Sequence, residues 1–171
     1  MKAFSNLLTN LILTSSRNRK ILLLVEYFSS TPDPDRGYAL AALTGSLKFK
    51  NIKAAFFKEL VREKQDEYLF ALSYDYVGDL AETISLLWDK KNDGDIPSLS
   101  ALFDSLAKVK SEELKRNVID ILDNSNADQR WAFIKLFTGG LRIGVSSRLV
   151  KQALSAYGNV DLNEIEKIWH G

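Results

Sequence analysis

The segment from Trp131 to Tyr157, WAFIKLFTGGLRIGVSSRLVKQALSAY, decides the fold of this chain. Trp131, Phe133, Ile134, Leu136 and Phe137 recur as the apolar face of a helix, and Gly139-Gly140 end it. Leu149, Val150, Ala153, Leu154 and Tyr157 restart the same period, with Ser146 or Ser147 standing where an N-cap belongs. The local plan is helix, glycine-rich turn, helix. The first amides of a helix have no intrahelical acceptor and carry the positive end of its dipole, and glycine lets a ligand come close to the backbone. Gly139, Gly140, Arg142, Gly144, Ser146, Ser147 and Arg148 therefore read as a phosphate cradle, the plain alternative being a turn with exposed arginines. Arg148, Lys151, Gln152 and Ser155 give the second helix a polar, cationic face opposite its apolar stripe, able to track a strand backbone.

The same period runs through the rest of the chain. Phe4, Leu7, Leu8, Leu11 and Ile12 form one stripe; after Ser15-Ser16, Ile21, Leu24, Val25 and Phe28 form another. Thr31-Pro-Asp-Pro-Asp35 stops that helix and offers Asp35 as the N-cap of the next, which ends at Gly45. Asn51 is expected to cap a helix bearing Ile52, Phe56, Leu60 and Val61, and Asp66 one bearing Leu69, Leu72 and Tyr76. Gly78-Asp79 breaks and restarts the pattern before Leu80, Ile84, Leu87 and Trp88. Residues 89–98 are a polar loop. Short helices follow over 99–106, 111–122, 128–138, 147–157 and 161–169. The fold class is all-α, a compact domain of about ten short helices, with the polar loop dividing possible lobes 1–90 and 98–171. Trp88, Trp131, Trp169 and most Phe and Tyr residues are expected in the core.

The 23 Lys/Arg and 22 Asp/Glu nearly cancel, but they are segregated. Residues 1–58 hold nine cations and three anions, residues 59–128 eight and sixteen, and residues 129–160 five cations and no anion. Basic blocks brought to one face would make a cationic surface for a polyanion. Ser15, Ser16, Arg17, Asn18, Arg19 and Lys20 form a second helix start with three cations, at the end of the helix where the dipole disfavours them and an external anion is suited. Gly45, Lys48 and Lys50 form a third, basic loop.

With no cysteine, disulfides and thiolate metal sites are excluded, and a single histidine, His170, leaves little for zinc. The apolar runs, such as Ile21 to Val25, are far short of the ~20 residues a membrane span needs. The N-terminus, interrupted by Asn6, Thr9 and Asn10, is a poor signal peptide, so a cytoplasmic location is expected.

Three further blocks join the Gly-Gly-Leu-Arg-Ile-Gly144 run: Ser-Arg-Asn-Arg-Lys20, Ala-Leu-Thr-Gly45 and Leu-Ser-Tyr-Asp-Tyr-Val-Gly78-Asp-Leu-Ala-Glu-Thr83. Together with the closing Ile-Trp-His-Gly171, they resemble the N-terminal DNA-binding domain of ATP-dependent DNA ligases, most closely the bacterial branch. The likeness extends over essentially the whole chain. It implies an all-helical domain that grips nicked duplex DNA through the minor groove and phosphates without reading sequence. The parent enzyme would be a nick-sealing ligase of replication, repair or recombination, monomeric and nucleoid-associated. Its ATP and divalent metal (Mg) would serve an adenylation domain that, with an OB-fold, lies outside this sequence, so this segment alone would hold no cofactor and be inactive. In the family the glycine-acid turn at Gly78-Asp79 approaches DNA; Asp79 would repel phosphate, which leaves it capping and Gly78 offering the backbone.

Lys91-Asn-Asp-Gly94 matches the family's catalytic K-x-D-G in letters. It lies in a polar loop followed only by helices, whereas the family's lysine sits in β-rich sequence, so it is assigned turn chemistry and no catalytic residue is expected. Two rivals remain: a helical-repeat module that binds a protein partner, and a minimal nucleotidyltransferase using Lys91.

Overall fold

Short polar side chains fix where most helices begin. In the computed structural model, which describes residues 1–47, 49, 52–92, 96–109 and 111–169, the chain forms eleven α-helices and no strand among those residues. Ser16 caps α2 (Arg17–Ser30), Asp66 caps α5 (Glu67–Val77) and Asp79 caps α6 (Leu80–Leu87), each side chain accepting from the amide three residues on. Ser98, Ser146 and Asp161 cap α7 (Leu99–Ala107), α10 (Ser147–Gly158) and α11 (Leu162–Ile168). Asn126 and Gln129 close a capping box at α9 (Ala127–Thr138). The set is completed by α1 (Lys2–Leu13), α3 (Asp35–Leu43), α4 (Ala54–Arg62) and α8 (Ser111–Asn124). Two starts differ from expectation. Asp35 is the first residue of α3 with Pro34 at the cap position, and α4 begins after Lys53; the expected cap Asn51 lies outside the described residues.

The chain divides into two units, Met1–Lys2 with Lys48–Gly140, and Ala3–Leu47 with Leu141–Gly171. This is not the division at the polar loop that composition suggested. The loop is anchored inside the first unit: the amides of Lys91 and Asn92 both donate to the Asp123 carbonyl, at 3.0 and 3.2 Å, and the Trp88 indole donates to the Asp123 carboxylate at 2.8 Å. The segment after Leu141 instead joins the first helices, because α10 packs chiefly on α2.

In the first unit α6 packs on α9, and Phe57, Phe133 and Phe137 form a continuous aromatic core. Arg130 of α9 is buried at 4% exposure. Its guanidinium donates to the carbonyls of Leu122, Ser85 and Trp88, the C-terminal ends of α8 and α6, where helix dipoles favour a cation. In the second unit Phe4, Leu8 and Leu11 of α1, Leu24 and Phe28 of α2, and Leu149, Val150 and Ala153 of α10 are buried.

Helix α5 reverses the expected orientation of its stripe. Tyr68, Leu69, Leu72 and Tyr76, within one arc of the helix, are 74%, 50%, 52% and 93% exposed, while Phe70 and Tyr74 turn inward and stack at 6.1 Å. Nearly every residue of this helix is apolar, so periodicity alone does not choose the buried side.

Candidate nucleic-acid interface

In the second unit, the turn ahead of α10 and the start of α2 line one open concavity of about 730 Å³. Ser15, Arg17, Arg142, Gly144, Ser146 and Arg148 face it, Lys20 lines its floor, and no carboxylate among the described residues does. Three guanidinium groups and two hydroxyls thus surround a space with no internal counter-charge. Arg17 is held in place by Gln152 of α10, its guanidinium donating to Oε1 at 2.7 Å.

The backbone adds donors. The Ser146 hydroxyl takes the Leu149 amide at 3.3 Å and its carbonyl takes Val150 at 3.1 Å. The amides of Gly144, Val145, Ser147 and Arg148 meet no acceptor among the described residues. Such groups at the positive end of a twelve-residue helix favour an anion. Arg142 at φ 48° and Gly144 at φ 65° place alternate residues of the turn in the left-handed region, a backbone form whose successive amides converge.

Lys20 departs from its sequence expectation as a surface cation for phosphate. It is 8% exposed, and its ammonium donates to the carbonyls of Ile143 at 2.9 Å and Gly144 at 3.1 Å. The signal was present in the sequence, since Lys20, Leu24 and Phe28 fall at i, i+4 and i+8 on the stripe that α2 buries.

The remaining candidates disperse. Ser16 is engaged as the α2 cap and Ser147 opens α10; neither lines the concavity. Asn18 is exposed, and Arg19 is exposed with a loose 3.9 Å pairing to Glu26. Lys151 lies over the Trp169 ring at 5.2 Å. Gly45 terminates α3, its amide donating to Ala42 at 3.2 Å; Lys48 and Lys50 lie outside the described residues.

Gly78, Gly139 and Gly140 belong to the first unit. Gly78 ends α5 and Gly139 ends α9, both at positive φ. The Lys135 ammonium, one turn before Gly139, pairs with the Asp79 carboxylate, so the last turn of α9 is tied to the glycine-acid turn. Asp79 caps α6 as its sequence position required. Burial pushes its carboxyl up, but the hydrogen bond and charge of Lys135, with the Glu82 and Ala81 amides, hold it below the ordinary range. Lys91 of the K-x-D-G look-alike stands 3.7 Å from the Asp123 carboxylate; Asp93 and Gly94 are outside the described residues.

Ile143 and Val145 are the lining residues that sequence reasoning did not select, while Gln152, already placed on the polar face of α10, acquires its role by holding Arg17. Gln152 follows Arg148 by four residues on the same helix face, which was the available signal.

The family model described as DNA ligase N terminus matches residues 1–155 of the chain. No curated protein matches it.

Proposed function

The chain belongs to the DNA ligase N-terminal family, and on that premise we propose that it binds nicked duplex DNA without reading sequence, as the DNA-binding domain of an ATP-dependent ligase. The observation that carries this is the carboxylate-free concavity, where three guanidinium groups and the open amides of a helix start meet. Oxygens of a sugar-phosphate strand accept from neutral amides and cationic side chains alike. Contacts of this kind fix position and carry no base information. Gly78, Gly139 and Gly140 offer close backbone approach in the first unit, and Lys151 extends the cationic face along α10.

Adenylation by ATP, with a divalent metal such as Mg, belongs to other domains of the same polypeptide, which acts as a monomer in the cytoplasm on nucleoid DNA. Lys91 supplies no nucleophile in this reading, since its ammonium is engaged with Asp123 in a loop anchored to α8. No helix among the described residues is long and apolar enough to cross a membrane.

Affinity for nicked duplex, measured as salt is raised, tests the reading. Engagement of roughly five to seven phosphates gives a steep decline, near −0.9 in log-log slope per contact. Arg142→Ala and Arg148→Ala each weaken every duplex alike and flatten the slope by about one unit. A changed base preference, or an untouched slope, overturns the phosphate assignment.

A protein-docking role keeps one observation in its favour. The exposed apolar arc of α5 lies in a stretch, residues 66–87, that carries five acidic residues and no Lys or Arg. Such a face repels a phosphate backbone and suits a cationic, apolar partner.

A further inference from the structure

A buried ammonium ordinarily finds a carboxylate, because an unpaired charge away from water is costly. Lys20 instead satisfies itself on two consecutive main-chain carbonyls, Ile143 and Gly144, and its Nζ sits where a side chain on Gly144 would begin. The peptide bonds following those two carbonyls are trans. A trans peptide holds its C=O and N–H in opposite directions. Drawing the Ile143 and Gly144 carbonyls toward Lys20 therefore turns the Gly144 and Val145 amides the other way, and neither amide meets an acceptor among the described residues.

The consequence is electrostatic. Without Lys20, two carbonyl oxygens would be free to face the concavity and repel an anion there. With it, those oxygens are engaged by a cation, and the Gly144 and Val145 amides, whose residues line the same concavity as Arg142 and Arg148, stay open. The alternating left-handed backbone at Arg142 and Gly144 is the conformation in which successive amides converge on an anion.

We propose that Lys20 is a positioning residue rather than a phosphate contact: it anchors the 143–145 backbone so that the Gly144 and Val145 amides bind a DNA phosphate. This rests on the DNA-binding reading given above. It adds that part of the affinity comes from neutral donors, organised by a cation that never touches the DNA.

The test uses the full chain with Lys20→Met, which keeps side-chain length and removes the charge and donors. Folding is checked by circular dichroism and a thermal melt. Affinity for nicked duplex should fall about tenfold, the order expected for lost hydrogen bonds to an anion, while the salt slope stays at the wild-type value, because neutral amides displace no counterions. A slope reduced by about one unit would make Lys20 a direct contact and overturn the proposal. Unchanged affinity would overturn it too.

A measurement on the wild-type protein does not depend on the variant folding. On titration with nicked duplex, the Gly144 and Val145 amide resonances should move downfield to saturation; their indifference overturns the proposal. If Arg142→Ala and Arg148→Ala alter binding as predicted while Lys20→Met and these amides do not, the positioning role alone fails. If the arginine variants leave DNA binding intact, the DNA reading itself fails.

Discussion

A β-carbon built on Gly144 would stand 2.5 Å from the Nζ of Lys20. The ammonium ends a flexible side chain and can yield, but only by leaving the carbonyls it holds. Gly144 is also at φ 65°, where an L side chain costs about 1–2 kcal/mol. Gly144→Ala should therefore lower stability in urea by that amount. It should also weaken nicked-duplex binding beyond what the stability loss explains, since the protein remains folded under assay conditions.

Arg130 has three carbonyl partners and one guanidinium nitrogen, Nη2, with no partner among the described residues. Burial pushes its pKa down, opposed by the charges of Asp123 and Asp89, and it remains a cation at the ends of two helices. Arg130→Ala removes packing and leaves three carbonyls without their donor, at a cost of about 3 kcal/mol or more. Denaturant midpoints measure it, and a loss near zero would show that α6 and α8 do not depend on this residue.

The Lys135–Asp79 pair gives stability a dependence on acid. Asp79 has a lower pKa folded than unfolded, so its contribution is fully present above the unfolded carboxylate value and disappears as pH falls through the folded one. Asp79→Asn keeps a capping oxygen but leaves the buried Lys135 without its carboxylate, for a loss of about 2 kcal/mol at neutral pH. The gap between wild type and variant should shrink at about pH 2.5, below the ordinary carboxylate range. Parallel stability curves across that interval would contradict the assignment.

The outward face of α5 predicts unusual tolerance of polar substitution. Leu72→Ser and Tyr76→Ser should each change unfolding free energy by less than about 0.5 kcal/mol, as surface changes do. Phe70→Ala, two positions from Leu72 but buried at 6% exposure, should cost about 3 kcal/mol. Chemical denaturation of the three variants compares them directly.

These contrasts indicate where the sequence was readable. Helix positions were legible because most starts carry a local device, such as Asp66, Asp79 or the Asn126–Gln129 box, whose geometry depends on neighbours three residues away. The turn with Arg142 and Arg148 was legible for the same reason. What sequence did not disclose is long-range. No local pattern tells that α10 packs on α2, so the chain is divided at Leu47 and Gly140 and not at the polar loop. Nor does it tell that Lys20, whose place on the buried stripe of α2 is local, finds its partners on the Ile143 and Gly144 carbonyls while Arg17 reaches Gln152. In α5, apolar residues on every side left the choice of inner face to tertiary contacts.

The path of the chain has a consequence for its synthesis. One unit is assembled from Ala3–Leu47 and Leu141–Gly171, with the stretch that builds the other emerging from the ribosome in the interval. Helices α2 and α3 must therefore wait, with Leu24 and Phe28 lacking the partner surface of α10, while the intervening helices can already close on each other. The concavity takes shape only when the nascent chain returns to helices made long before, so a product halted at Gly140 would lack the turn that carries Arg142 and Arg148.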